Sequence, residues 1–386
     1  AVIPSTYNEK PVKEIGVGAF YGCNSLTSVT IPKSVTIIGN LAFYNCNSLM
    51  EVYISDIVAW CNIKFGWNGS NPLYYAHHLY LNNELITDLV IPDSVKNIGD
   101  SAFCNCSSLT SVTIGNGVKN IGYSAFEYCS SLTSVTIPDC VASIGEYAFY
   151  GCGSLTSVTI GNSVTSIGER AFIGCERLVE VINKSNFEIG RNIANGCVGY
   201  YALTIHSGES KIVDKDGYLF ITDEGVNYLL GYKGNETELN LPENYNGEEY
   251  EIYENAFRER RSLTSVTIGN RVTSIGDSAF YKCSSLTSVT IPDCVTSIGQ
   301  CAFYENNSLL SVTIGNGVTS IGYCAFYGCD SLMDVTIGNS VTKLDTFAFS
   351  ACKCLISINI PDSVESIGKW AFGDCRSLAS ITIPDG

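Results

Sequence analysis

Three histidines, His77, His78 and His206, are the only imidazoles among 386 residues, and 18 cysteines stand beside them. A hydrolytic triad needs an imidazole against an activated serine or cysteine, and a zinc site needs His and Cys converging on one ion. His77 and His78 are adjacent, so on a strand they point to opposite sides and do not share a metal. The pairs Cys104/Cys106 and Cys352/Cys354 have C-x-C spacing, with no second ligand pair beside them. Gly-x-Gly occurs at Gly16–Gly18, Gly115–Gly117 and Gly151–Gly153, as recurring corners rather than as a phosphate loop. Glu248 and Glu249 fall in a predicted loop with no partner. These residues point to no enzyme, no cofactor and no metal.

A 23-residue phrase positions them. Leu26, Leu49, Leu109, Leu132, Leu155 and Leu178 open it, and Leu263, Leu286, Leu309, Leu332, Leu355 and Leu378 open it again. Residues 132–154 give it as LTSVTIPDCVASIGEYAFYGCGS. A fixed period of this length means a solenoid, whose coils complete one another's core. With Leu132 as position 1, the apolar positions 4, 6, 10, 13, 17, 18 and 21 are Val135, Ile137, Val141, Ile144, Ala148, Phe149 and Cys152. The Leu-x-x-Val-x-Ile stretch alternates as a strand does, turning Val135 and Ile137 inward and Ser134 and Thr136 outward. A second short β segment is predicted at Val141–Ile144, and a single helical turn at Glu146–Cys152. The fold class is thus a β-rich solenoid with one parallel-sheet strand, one short β segment and one helical turn per coil. Residues 1–386 read as one solenoid domain. Both ends lie inside the repeat phrase, which predicts a fragment of a longer protein.

Position 14 is glycine at Gly39, Gly99, Gly122, Gly145, Gly168, Gly276, Gly299, Gly322 and Gly368, and Asp345 in one coil. Asp tolerates a left-handed backbone, so positive φ is predicted at this corner. Position 21 is Cys23, Cys46, Cys106, Cys129, Cys152, Cys175, Cys283, Cys329, Cys352 and Cys375. Equivalent residues of adjacent coils stack about 4.8 Å apart with parallel Cα–Cβ bonds. A disulfide wants its Cβ atoms near ~3.8 Å and leaning together. The expectation is a free, buried ladder, with Asn306 replacing Cys in one coil and Cys301 and Cys324 sharing this reading.

The strings SLTSVTI (Ser154–Ile160), SVTSIG (Ser163–Gly168) and AFYGC (Ala325–Cys329) resemble the BspA-like leucine-rich repeat family, leucine-rich repeat type 5. The resemblance covers nearly the whole chain. It implies a right-handed leucine-rich-repeat superhelix and bacterial cell-surface proteins that adhere to host matrix, epithelium or other microbes. The chain departs from the more familiar leucine-rich pattern, which carries Asn or Cys three residues after the strand.

The period breaks twice. Residues 49–85 form one enlarged coil, with a predicted amphipathic helix at Asp56–Phe65 and a hairpin around Asn82–Asn83. Residues 178–262 divide into irregular coils of 22, 36 and 27, with strands at Ala202–His206 and Glu238–Pro242 and a hairpin turning at Asp223–Gly225. Insertions in solenoids form loops, often on the binding face.

Lys and Arg total 22 against 38 Asp and Glu, a formal charge of −16. That balance argues against nucleic acid, whose phosphates need Lys and Arg, and against anionic lipid. No apolar run is long enough to cross a bilayer. The candidate binding surfaces are therefore three. The strand face offers Ser134, Thr136, Ser157 and Thr159. A row after Ala-Phe offers Tyr150, Tyr281, Tyr304 and Tyr327. Trp60, Trp67, Tyr74 and Tyr75 in the enlarged coil form either a site or a local mini-core. The function expected is a monomeric, non-enzymatic interaction module, secreted or at the cell surface, binding a protein or glycan on host or neighbouring cells. The alternative is a spacer within a larger surface protein, with no ligand of its own.

Overall fold

The computed structural model describes residues 1–66 and 68–383. They group into two compact units, Ala1–Ser210 and Lys211–Gly386. Each unit is a β-solenoid with its own apolar core.

In unit 1 the strands Asp88–Ile91, Ser111–Ile114, Ser134–Ile137, Ser157–Ile160, Glu180–Asn183 and Thr204–His206 form one parallel sheet. Its register steps by one repeat, so Val135 faces Val158 and Ile137 faces Ile160. In unit 2, Glu238–Asn240, Ser265–Thr267, Ser288–Ile291, Ser311–Ile314 and Asp334–Thr336 do the same. The short segments build a second sheet in each unit, as at Ser143–Ile144 against Ser166–Ile167. Phenylalanines at position 18 fill the space between sheets and turns. The rings of Phe280, Phe303 and Phe326 stack at 5.2 and 5.1 Å, tilted by only 6° and 2°.

The segment Glu146–Cys152 is not a helical turn. The chain makes successive tight turns there, and every second N–H leaves its own coil. Tyr147, Phe149 and Gly151 donate to the carbonyls of Glu169, Ala171 and Ile173 in the next coil at 3.1, 2.8 and 2.8 Å. The N–H groups of Ala148, Tyr150 and Cys152 close turns within the coil. Alternate N–H groups point outward because position 16 is left-handed whatever residue stands there. Ser124, Tyr147, Arg170, Cys301, Phe347 and Trp370 all have φ between 51° and 59°. Such a conformation costs about 1–2 kcal/mol per residue, which the third inter-coil ladder offsets.

The position-14 glycines do not have positive φ, contrary to the sequence expectation, and neither does Asp345. Close approach accounts for the glycine. A Cβ on Gly145 would lie 2.6 Å from the Gly122 carbonyl carbon, and one on Gly299 would lie 2.6 Å from the Asp277 nitrogen. Neighbouring coils approach closely at this corner, with no room for a side-chain carbon.

Of the predicted helix in the enlarged coil only Ile57–Cys61 is helical, capped by the Asp56 carboxylate on the Ala59 N–H, and a second short helix follows at Leu73–Ala76. Lys64–Phe65, the end of the predicted helix, instead joins the short-strand sheet against Ile37–Ile38. The hairpin His78–Leu81 with Glu84–Leu85 turns at left-handed Asn82 and Asn83, as predicted. In unit 2, Tyr218–Asp223 and Val226–Tyr232 pair antiparallel around Glu224–Gly225, also as predicted.

Candidate functional site

The long-strand face carries hydroxyls in separate columns. At position 2, Thr110, Thr133 and Thr156 each donate to the carbonyl of the equivalent residue one coil back, at 3.0, 3.3 and 3.0 Å. These hydroxyls belong to the fold. At position 5, Thr113, Thr136 and Thr159 lie on the outer face, and among the described residues their hydroxyls have no protein partner. Thr267, Thr290, Thr313 and Thr336 repeat this column in unit 2. Exposed Ser134 resembles the position-5 group.

Ser157 differs. Its hydroxyl donates to Glu180 at 2.8 Å, and Ser210 donates to the same carboxylate oxygen at 2.7 Å. Glu180 is fully buried, and His206 Nε2 lies 3.2 Å from its other oxygen. Serine, carboxylate and imidazole therefore meet, but in the wrong order for hydrolysis. The carboxylate sits in the middle, and His206 Nδ1 accepts from the Gly208 N–H at 3.2 Å. That leaves Nε2 as the protonated nitrogen directed at Glu180, so no ring nitrogen faces a serine as base. The cluster ties the end of unit 1's strand face to the 204–210 segment. Glu180 was not singled out from the sequence, although it stands where other coils carry serine. Ser157 is its register partner one coil back, but Ser210 and His206 come from an irregular coil and carry no repeat signal.

His77 and His78 do not share a strand: His77 is the left-handed C-cap of the Leu73–Ala76 helix and His78 opens the strand that follows. His77 Nδ1 lies 3.3 Å from the Asn105 carbonyl and His78 Nδ1 3.3 Å from that of Met50, on opposite neighbours. Glu248 closes a turn with Tyr245 and, with Glu249 and Glu251, lines an open cleft of about 490 Å³.

The aromatic cluster of the enlarged coil is mostly structural. Trp60 is 1% exposed, and its indole N–H donates to the Ala102 carbonyl at 2.8 Å. In a regular coil a Phe N–H fills that role. The Tyr75 hydroxyl accepts the Asn45 N–H at 2.9 Å, and the Ser70 hydroxyl accepts the Leu41 N–H at 3.1 Å. These side chains replace turn-ladder rungs that the enlarged coil lacks. Trp60 therefore offers no surface to a partner, a correction to its candidacy, and Tyr75 has its hydroxyl engaged. Tyr74 is exposed against Tyr75, and Trp67 lies outside the described residues.

The tyrosine row takes two forms. Tyr281, Tyr304 and Tyr327 stack face to face at 4.9 and 5.0 Å, and the Arg258 guanidinium covers Tyr281 at 4.7 Å. Their faces are occupied by one another, which leaves edges and hydroxyls outward. Tyr150 instead meets Tyr128 and Tyr147 edge to face at 5.3 and 5.6 Å. Burial pushes the Tyr128 hydroxyl up to about 12, with Tyr150 adding to it.

All the cysteines are free. At position 21 the thiols that follow a regular coil donate to the carbonyl of the Phe one coil back: Cys129 to Phe103, Cys152 to Phe126 and Cys175 to Phe149, all at 3.2 Å. The ladder is therefore a column of hydrogen-bond donors as well as apolar packing. Burial pushes the Cys152 thiol up to about 12.

Three solved bacterial structures are similar to the chain. A leucine-rich cell surface protein from Faecalibacterium prausnitzii is 28% identical over 100% of this chain and 87% of its own, with a TM-score of 0.41. A leucine-rich repeat protein from Bacteroides ovatus is 26% identical over 100% and 80%, at 0.35. One from Eubacterium ventriosum is 20% identical over 96% and 87%, at 0.38. These TM-scores are below 0.5, so the fold rests on the chain's own strand pairing and on its family. No curated protein matches the chain. The sequence profile of the BspA type leucine rich repeat region matches residues 3–64, 76–200, 230–356 and 296–386. With most of its length matched, the chain belongs to the BspA-type leucine-rich repeat family.

Proposed function

We propose that the protein is a non-enzymatic interaction module of the bacterial cell surface or its exterior, an adhesin that holds a host or microbial protein or glycan on its long-strand face. One observation carries the reading. Thr110, Thr133 and Thr156 at position 2 bond to the backbone, whereas Thr113, Thr136 and Thr159 at position 5 have no protein partner among the described residues and present a row of hydroxyls in register. A row of this kind suits broad, shallow, hydrogen-bonded contact, in which each polar pair adds little and the sum decides. The family supports a surface role.

The test replaces Thr113, Thr136 and Thr159 together with Lys and measures binding to panels of matrix proteins and glycans. Long charged side chains across the row should lower binding at least about tenfold, a loss of roughly 1.4 kcal/mol. Circular dichroism should not change, because these hydroxyls hold nothing in the fold. Binding that survives the triple substitution would overturn the long-strand face as the site, and a wild-type chain that binds nothing on either panel would leave the spacer as the better reading.

A further inference from the structure

Two thiols stand apart from the cysteine ladder. Cys301 and Cys324 occupy position 16 of consecutive coils, on the turn column. Both are left-handed, with φ of 52° and 53°, and their N–H groups donate to Tyr323 and Thr346 in the next coil at 2.8 and 3.1 Å. Packing does not call for cysteine here, since Ser101, Ser124, Ser278, Arg170 and Trp370 hold the same position in other coils. Neither thiol donates to a Phe carbonyl as the ladder thiols do. They stand at equivalent places on neighbouring coils, both with the same left-handed backbone. Cys301 is half-buried and Cys324 is 6% exposed, at the boundary with solvent.

We propose that Cys301 and Cys324 form a two-thiolate site for a soft monovalent cation of the copper(I) class, held between the two sulfurs. The geometry of the coils favours a bridging ion over a disulfide. Two residues further on, the Phe303 and Phe326 rings are displaced by 5.1 Å and tilted by 2°, so the two coils are related by almost pure translation. The Cβ atoms of Cys301 and Cys324 are therefore parallel and about one strand spacing apart, wider than the ~3.8 Å a disulfide prefers. An ion between the sulfurs spans the wider gap. Among the described residues no group of three His, Cys, Asp or Glu side chains is placed to hold a metal. Zinc, which takes four ligands, is thus a poor fit, and hard cations need oxygen cages. Soft thiolates select copper(I), which is satisfied by two sulfurs. On binding, each thiol releases its proton to solvent and each sulfur donates an electron pair to the ion, with no change of oxidation state.

The experiment titrates the chain with copper(I) held by a chromogenic competitor, without oxygen. Cys301→Ser and Cys324→Ser are compared with wild type and with Cys354→Ser, an exposed thiol outside the site. Both site variants should fold, since serine already stands at this position in three coils. Wild type and the Cys354 variant should withdraw one more copper per chain than either site variant. Equal uptake by all four proteins would overturn the proposal. So would a Cys301–Cys324 disulfide formed readily in the folded chain by oxidised glutathione, because that shows the coils close to bonding distance without an ion.

Discussion

The two units use the same coil but complete the cysteine column differently. In unit 1 the column runs Cys106, Cys129, Cys152 and Cys175 without a break. Unit 2 has Arg260 at the first place and Asn306 at the third, with Cys283, Cys329, Cys352 and Cys375 at the others. Cys283 and Cys329 donate to Phe257 and Phe303 at 3.1 and 3.2 Å, as in unit 1. Asn306 is fully buried, and neither atom of its amide finds a partner. The position therefore requires more than small volume. It requires a short donor aimed at the Phe carbonyl below, which a thiol supplies and the longer amide does not.

Arg260 shows what happens at the open end of the column. Where no earlier coil offers a Phe carbonyl, its guanidinium reaches the carbonyls of Tyr232, Gly234 and Glu236 and lies over the Tyr232 ring at 5.4 Å. It anchors the irregular segment to the regular stack. Arg260→Ala should give the largest effect considered, a loss of about 2–4 kcal/mol from broken charged hydrogen bonds and stranded carbonyls. Hydrogen exchange should locate the loss at residues 228–262 and leave unit 1 protected. Uniform loss across both units would mean that Arg260 is not a local anchor.

How far the sequence could be read follows the same division. Repeating positions were legible because each is stated about a dozen times: Val135 and Ile137 inside, Cys152 free, strands and hairpins in place. Two errors fell where coils touch each other. Gly145 was assigned a left-handed backbone when its role is to let the next coil approach. The left-handed residue is Tyr147, whose type announces nothing, since Ser, Arg and Trp stand there in other coils. The single-copy roles were illegible for another reason. Trp60, Ser70 and Tyr75 replace ladder rungs, and Glu180, one period after Ser157, also gathers Ser210 and His206, through contacts to irregular segments that no period relates.

Asn306→Cys repairs the column and tests the comparison from the other side. Removing a buried, unpartnered amide and adding a thiol donor to Phe280 should stabilise unit 2 by about 1–2 kcal/mol at pH 7. The gain should depend on pH. Burial pushes Cys283 and Cys329, on either side of the site, from an ordinary value of 9.0 up to about 12. A thiol raised in this way contributes fully below pH 9. Above that the unfolded chain ionises while the folded one does not, and stability falls by up to ~1.4 kcal/mol per pH unit per thiol until the folded value is reached. The variant's advantage in Tm should therefore shrink from pH 7 to pH 10.5. No rise in Tm at pH 7 would show that the Asn306 amide is not a cost.

The smallest effect concerns how unit 1 closes its turn ladder where the regular repeat stops. Position 20 of a regular coil donates to the next coil's carbonyl, as Gly151 does to Ile173 at 2.8 Å. At Gly174 the acceptor is instead the Tyr201 hydroxyl at 3.3 Å, and at Asn45 it is the Tyr75 hydroxyl at 2.9 Å. Tyr→Phe at either site removes one acceptor and keeps the ring, so each should cost about 0.5–1.5 kcal/mol. Tyr75→Phe should cost more, since its bond is the shorter. The amide of Asn45 or Gly174 should exchange up to about tenfold faster in the matching variant, the factor that 1.4 kcal/mol gives. If Tyr201→Phe proves the costlier, the end of the stack depends on that rung more than the enlarged coil does on its own. The two breaks would then differ in kind, the first being repaired within the stack and the second marking a true terminus of unit 1.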